Sequence, residues 1–209
     1  MNKKLLSLLN LFATLGLIFW NYFANSGTFD GKTIGDISDK YNSLFTPASY
    51  AFAIWGIIFL GLLSQSFYLI YLAFKNIDEE NVVGKISTHL VLVNILNSVW
   101  VYLWLQELIL PSVITMILLF VVLLKLVFAL RMEVWDAPLK TIVLIWWPID
   151  LYVGWIAVAL VANVSSYLNF LDFSLGLEDT TWVIIMIGVV ALINYLMVQQ
   201  LLFLALLVR

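Results

Sequence analysis

The sequence predicts an all-α, polytopic transmembrane helical bundle, and three observations carry that prediction. Of 209 residues, 64% are hydrophobic and only 11% are charged, with a mean hydropathy of +1.05. A water-soluble domain of this length has too little interior to hide that much apolar surface. The apolar residues also gather in runs of about 20, the length that crosses a hydrocarbon core as a helix. These runs are longer than barrel strands and do not alternate, which leaves helices to satisfy the backbone in lipid. The chain therefore reads as one transmembrane domain, 1–209. It has no cysteine, so thiol chemistry and disulfides are excluded, and its single histidine cannot build a multi-histidine metal site. A net charge of −3 gives nucleic acid no electrostatic hold.

Six spans are expected, at 4–24, 48–74, 87–109, 111–130, 141–163 and 181–208. The first follows Lys3 and Lys4 as a signal peptide would. Trp20, Tyr22 and Phe23 crowd the place where cleavage needs small residues, so a retained helix is expected. The connections are 25–47, 75–86, residue 110, 131–140 and 164–180, with Pro111 marking a tight turn between the third and fourth spans. Lys3, Lys4, Lys75, Lys85, Arg131, Lys140 and Arg209 fall on one side of this threading, and only Lys32 and Lys40 on the other. The basic excess predicts that both termini are cytoplasmic. Loops 25–47 and 164–180 then face outward, the second carrying Asp172, Glu178 and Asp179. Loop 25–47 is long and polar, and reads either as a solvated linker or as a lid over an outward cavity.

Trp55, Trp100 and Trp155 lie on three different spans at one depth, roughly 10–12 Å below the outer surface at 1.5 Å per residue. Tryptophan prefers the headgroup belt, so indoles below it, each with an N–H to satisfy, suggest a ligand pocket between helices. Trp20, Trp104 and Trp182 lie nearer the boundary and read as belt anchors. Asn97 is one turn before Trp100, on its face. Tyr152, Trp155, Ala159 and Asn163 form one helical stripe, in which Ala159 leaves room beside the indole for a flat guest. Asn97 reads equally as inter-helix glue, and Asn94 and Asn194 read as glue first. Asp150 is a carboxylate well inside a span, a candidate for a proton or substrate path. No phosphate loop, paired histidines or nucleophile elbow is present, so the residues nominate no catalytic group and no metal site.

These motifs resemble the TspO/translocator protein family, also called tryptophan-rich sensory proteins or peripheral benzodiazepine receptors. The resemblance starts at Phe45-Thr46-Pro47 and runs through Ala51-Phe52-Ala53-Ile54-Trp55-Gly56 to Phe59. It continues in Asn97-Ser98-Val99-Trp100 and in the Tyr152, Trp155, Ala159, Asn163 stripe, in order, across about residues 5–165. The resemblance implies a five-helix core (1–165) with a pocket under loop 25–47 and a homodimer in the bilayer. It implies binding of tetrapyrroles such as porphyrin or haem, or of other flat hydrophobic ligands, with no required cofactor. Trp55, Asn97, Trp100, Tyr152, Trp155, Ala159 and Asn163 would form the site. The chain departs from the pattern in its sixth span, 181–208, in Leu151 at the place of a proline, and in Ser49 at the place of a tryptophan.

The expected function is a TspO-like sensor, receptor or carrier, in a membrane whose charge bias suits a bacterial inner membrane. The alternatives are a proton-coupled transporter or channel-like protein using Asp150, and a porphyrin-degrading membrane enzyme.

Overall fold

A computed structural model describes residues 2–41, 46–78, 81–132 and 137–171, with scattered positions between 173 and 195; Ser49 is described by its backbone alone. Helix α1, Lys3–Ala24, begins where the Asn2 side chain accepts from the Lys4 N–H at 3.0 Å. It ends ahead of Gly27, whose φ of +76° suits a residue without a side chain. Helix α2, Ile34–Lys40, lies within the long loop. A reciprocal cap starts it: Thr33 Oγ1 accepts from the Asp36 N–H, and the Asp36 carboxylate accepts from the Thr33 N–H. Beyond Pro47 a 3₁₀ turn, Ser49–Ala53, leads into α3, Ile54–Lys75, which stops at Asn76 in the left-handed conformation. Helices α4, Val82–Leu105, and α5, Ile109–Ala129, follow. A short α6, Leu139–Thr141, then continues through a π turn, Ile142–Trp146, into α7, Trp147–Phe170.

Among the described residues, five helical stretches are long and apolar enough to cross a membrane: Lys3–Ala24, Tyr50–Lys75, Val82–Leu105, Ile109–Ala129 and Leu139–Phe170. The first five expected spans are therefore present as helices, with corrected edges. The third starts at Val82 rather than at 87 and stops at Leu105 rather than at 109. It joins the fourth through 106–108, where Glu107 takes φ +58° and the Leu108 N–H donates to Leu103 O at 2.9 Å. Pro111 is no turn. It lies in the first turn of α5, where its missing N–H would have had no helical partner. The fifth span runs on to Phe170, because nothing in 164–169 interrupts the helix. Most of the expected sixth span, 181–208, lies outside the described residues, as do Trp135, Trp182 and Asn194.

The five long helices close into a ring: α1 packs on α3 and α4, α4 on α5, α5 on α7, and α7 on α3. Ile58, Leu62, Ile86, Leu90, Met116, Leu119, Leu123, Ile149 and Ile156 fill its interior. Phe12, Phe19, Leu60, Phe67, Ile95, Ile114 and Leu118 coat its outside, an apolar surface suited to lipid. Lipid tails are as apolar as leucine, so close packing and inter-helix hydrogen bonds hold such a ring together. Both are visible. Between α1, α3 and α4, Asn10 Nδ2 donates to Ser66 Oγ at 3.1 Å and Asn94 Nδ2 donates to Thr14 Oγ1 at 3.2 Å. Gly61 lets α3 approach α7 so closely that a Cβ there would stand 3.3 Å from Pro148. Gln65 Nε2 donates to Ile145 O at 3.0 Å, holding the π turn just ahead of that proline. At the same end of the ring, Lys3 pairs with Asp78 at 2.9 Å.

Candidate ligand cavity

At the opposite end, beneath α2, the ring is not filled. The cavity there is lined by Trp100 and Trp104 of α4, by Trp155, Ala159, Ala162, Asn163 and Ser166 of α7, by Ile34 and Ser38 of α2, and by Thr46, Pro47 and Phe52. The geometry follows from helical spacing. Positions 155, 159, 162 and 166 recur at four, three and four residues, so one stripe of α7 faces inward. Trp100 and Trp104 are one turn apart and stack with ring centroids 6.0 Å apart. Opposite these large rings the stripe presents small residues, Ala159, Ala162 and Ser166, and the mismatch in size leaves space. As it stands the cavity measures about 30 Å³, room for about two waters.

The indole N–H groups separate the tryptophans into roles. Trp100 Nε1 donates to Asn163 Oδ1 at 2.9 Å, and Asn163 Nδ2 donates to Ser112 Oγ at 3.0 Å, tying α4, α5 and α7 together. Trp104 Nε1 donates to Ile34 O at 3.1 Å, fastening the lid helix to the bundle. Trp155 is only 8% exposed, and its Nε1 is buried with no partner among the described residues. Phe52 and Trp55 set their ring edges against it at 5.9 and 6.4 Å.

The structure thus brings Trp100, Trp155, Ala159 and Asn163 to one cavity. Asn97 and Tyr152 do not line it; Asn97 Nδ2 donates to Tyr152 Oη at 2.8 Å, and both residues are fully buried. Trp55 packs its ring edge on Tyr152 at 5.8 Å, and so supports Trp155 from the side. Asp150 lies on the exposed outer side of α7 rather than inside the ring. Trp104, read from depth as a belt anchor, is 4% exposed and lines the cavity. Its spacing of four from Trp100 was the available signal. Trp20 is likewise bonded inward, its Nε1 donating to Ser98 O at 3.0 Å.

The lid is pinned at a residue that sequence reasoning passed over. Glu107, in the turn between α4 and α5, accepts three donors from segment 32–41. Lys32 Nζ reaches Oε1 at 2.8 Å, while Lys40 Nζ and Tyr41 Oη (2.7 Å) reach Oε2. The hydrogen bonds from Lys32, Lys40 and Tyr41 push the Glu107 carboxyl down to about 2, so it is ionised at neutral pH. Ile34 and Ile37 are buried on the inner face of α2, so α2 packs on the bundle.

A family model described as TSPO-like protein matches residues 7–205. The matched range takes in most of 181–208, so that segment falls within the family's extent rather than beyond it. No curated protein and no solved structure matches the chain.

Proposed function

Because this chain belongs to the TSPO-like protein family, we propose that it binds a flat hydrophobic ligand, of which a tetrapyrrole is the leading class, in the cavity under α2, as a membrane receptor, sensor or carrier. Trp155 carries the reading. A buried N–H left without an acceptor costs about 1–3 kcal/mol, and a ligand carbonyl or ring nitrogen would recover that cost. The faces of Trp100, Trp104 and Trp155 offer stacking to a planar guest, and Ala159 and Ala162 leave the space for its edge. Among the described residues the lining offers aromatic faces and a buried N–H donor, the groups that binding of a planar guest uses.

Size adds a requirement. Sites for ligands of this kind occupy about 300–1,000 Å³, far more than the cavity offers as it stands. Binding therefore requires α2 and the Thr46–Pro47 stretch to lift. The basic excess at the other end of the helices supports a lid that faces outward, in a cell membrane of bacterial type. A homodimer is part of the same reading.

The test is a titration of detergent-solubilised protein with protoporphyrin IX, followed by tryptophan quenching. Saturable quenching should weaken about tenfold in Trp155→Phe and more in Ala159→Leu, each change removing roughly 1.4 kcal/mol or more of binding. Quenching that never saturates, or is equal in all three proteins, would sink the reading.

A further inference from the structure

Among the described residues the cavity lining has no charged side chain, yet the segment that covers it carries two lysines committed to one acid. Lys32 lies two residues before Ile34, and Lys40 two residues after Ser38, the two α2 residues that line the cavity. We propose that Lys32, Lys40 and Tyr41 form a carboxylate-binding cradle at the edge of the cavity, and that Glu107 occupies it as an internal stand-in for the acidic group of the ligand. This rests on the cavity being the ligand site.

Two features carry the inference. The donors divide between the two oxygens of one carboxylate, Lys32 on Oε1 and Lys40 with Tyr41 on Oε2. Any free carboxylate presents the same two oxygens at the same separation, so the cradle fits the group rather than the residue. The donors come from a single stretch, 32–41, whereas the acid comes from a turn more than 60 positions away in sequence. The acid can therefore leave without dismantling the cradle.

The neighbouring acids do not fill this role. The Asp36 carboxylate is taken up by the Thr33 N–H and hydroxyl as the helix cap. Asp30 and Asp39 flank the cradle in sequence, but neither is among the acceptors of Lys32 or Lys40. An acid-bearing planar ligand would place its ring against Trp100, Trp104 and Trp155. Its carboxylate would take the place of Glu107, releasing the lid from the α4–α5 turn as it binds. A neutral ring of the same shape would also have to part Glu107 from the cradle, and would leave the two lysines without an acid.

The test compares protoporphyrin IX, which carries two carboxylates, with its dimethyl ester, which has the same ring and no charge, on the full chain in nanodiscs. Glu107→Gln should tighten binding of the acid about tenfold more than it tightens the ester, because both rings need the fastening to open but only the acid fills the vacated cradle. Lys32→Gln combined with Lys40→Gln should weaken the acid about tenfold and leave the ester bound at least as tightly as before. Glu107→Asp, which keeps the charge, should behave as wild type towards the ester and confirm that the turn still folds. If both probes shift by the same factor in Glu107→Gln, or neither shifts, Glu107 is only a latch and the cradle is overturned. If the ester too fails to quench any protein saturably, the cavity reading falls and takes the cradle with it.

Discussion

Two regions of the ring are built from buried polar and aromatic side chains, yet one is filled and the other hollow. Between α1, α3 and α4, the small side chains of Asn10, Thr14, Ser66 and Asn94 let three helices meet and hydrogen bond directly. Under α2, the wide rings of Trp100, Trp104 and Trp155 hold α4 and α7 apart while alanines and a serine face them. Without hydrophobic pressure from water, a membrane bundle closes only where surfaces are complementary. Large against small without interlocking leaves a void, and small polar against small polar does not. The first arrangement suits a guest and the second suits a joint.

The comparison breaks most sharply if the void is filled. Ala159→Phe should abolish binding of a planar probe, by about a hundredfold or more, at an overpacking cost of about 1–3 kcal/mol in stability. A large loss of stability with binding retained would mean that the space is not where the guest sits. The next effect is on the joint inside the cavity wall. Asn163→Leu would strand the Trp100 N–H and take a donor from Ser112 Oγ, which keeps its own bond to Ile109 O, destabilising the protein by about 1–3 kcal/mol in denaturant titrations. In the filled seam, Asn94→Leu should cost only about 0.6–1.7 kcal/mol and leave probe binding unchanged, because its partner Thr14 is remote from the cavity. Equal effects of these two asparagine changes on binding would erase the distinction between joint and site.

The five helices were legible because crossing a bilayer demands a length and an apolarity that sequence displays directly. The stripe through Trp155, Ala159 and Asn163 was legible because helical spacing fixes which residues share a face. Depth along a helix, by contrast, does not give direction around it. The depth reading therefore placed Trp104 near the headgroup belt and Asp150 well inside a span, but could not show that Trp104 points inward and Asp150 outward. The lid was hidden for a different reason. Its fastening joins residues 66 to 75 positions apart, through a turn that the apolar pattern had absorbed into the third span. No periodicity reports a contact of that kind.

The smallest expected effect concerns this fastening and its response to pH. The Glu107 carboxyl is held near 2, below its usual 4.5, chiefly by the hydrogen bond from Lys32 and then by those from Lys40 and Tyr41. A carboxyl whose folded value is depressed contributes stability that is fully present above its unfolded value and is lost as pH falls through the folded one. The lid should therefore stay fastened from neutral pH down to about pH 4, and loosen only as pH approaches 2. Lys32 and Lys40 are 40% and 54% exposed, so salt should act where pH does not. At 1 M ionic strength screening reaches within about 3 Å. The carbon shift of labelled Glu107, followed by NMR, would show a midpoint near 2 at low salt, rising toward 4.5 at high salt. A midpoint near 4.5 at low salt would mean that the three donors do not hold the acid, and that the lid rests on Trp104, Ile34 and Ile37 alone.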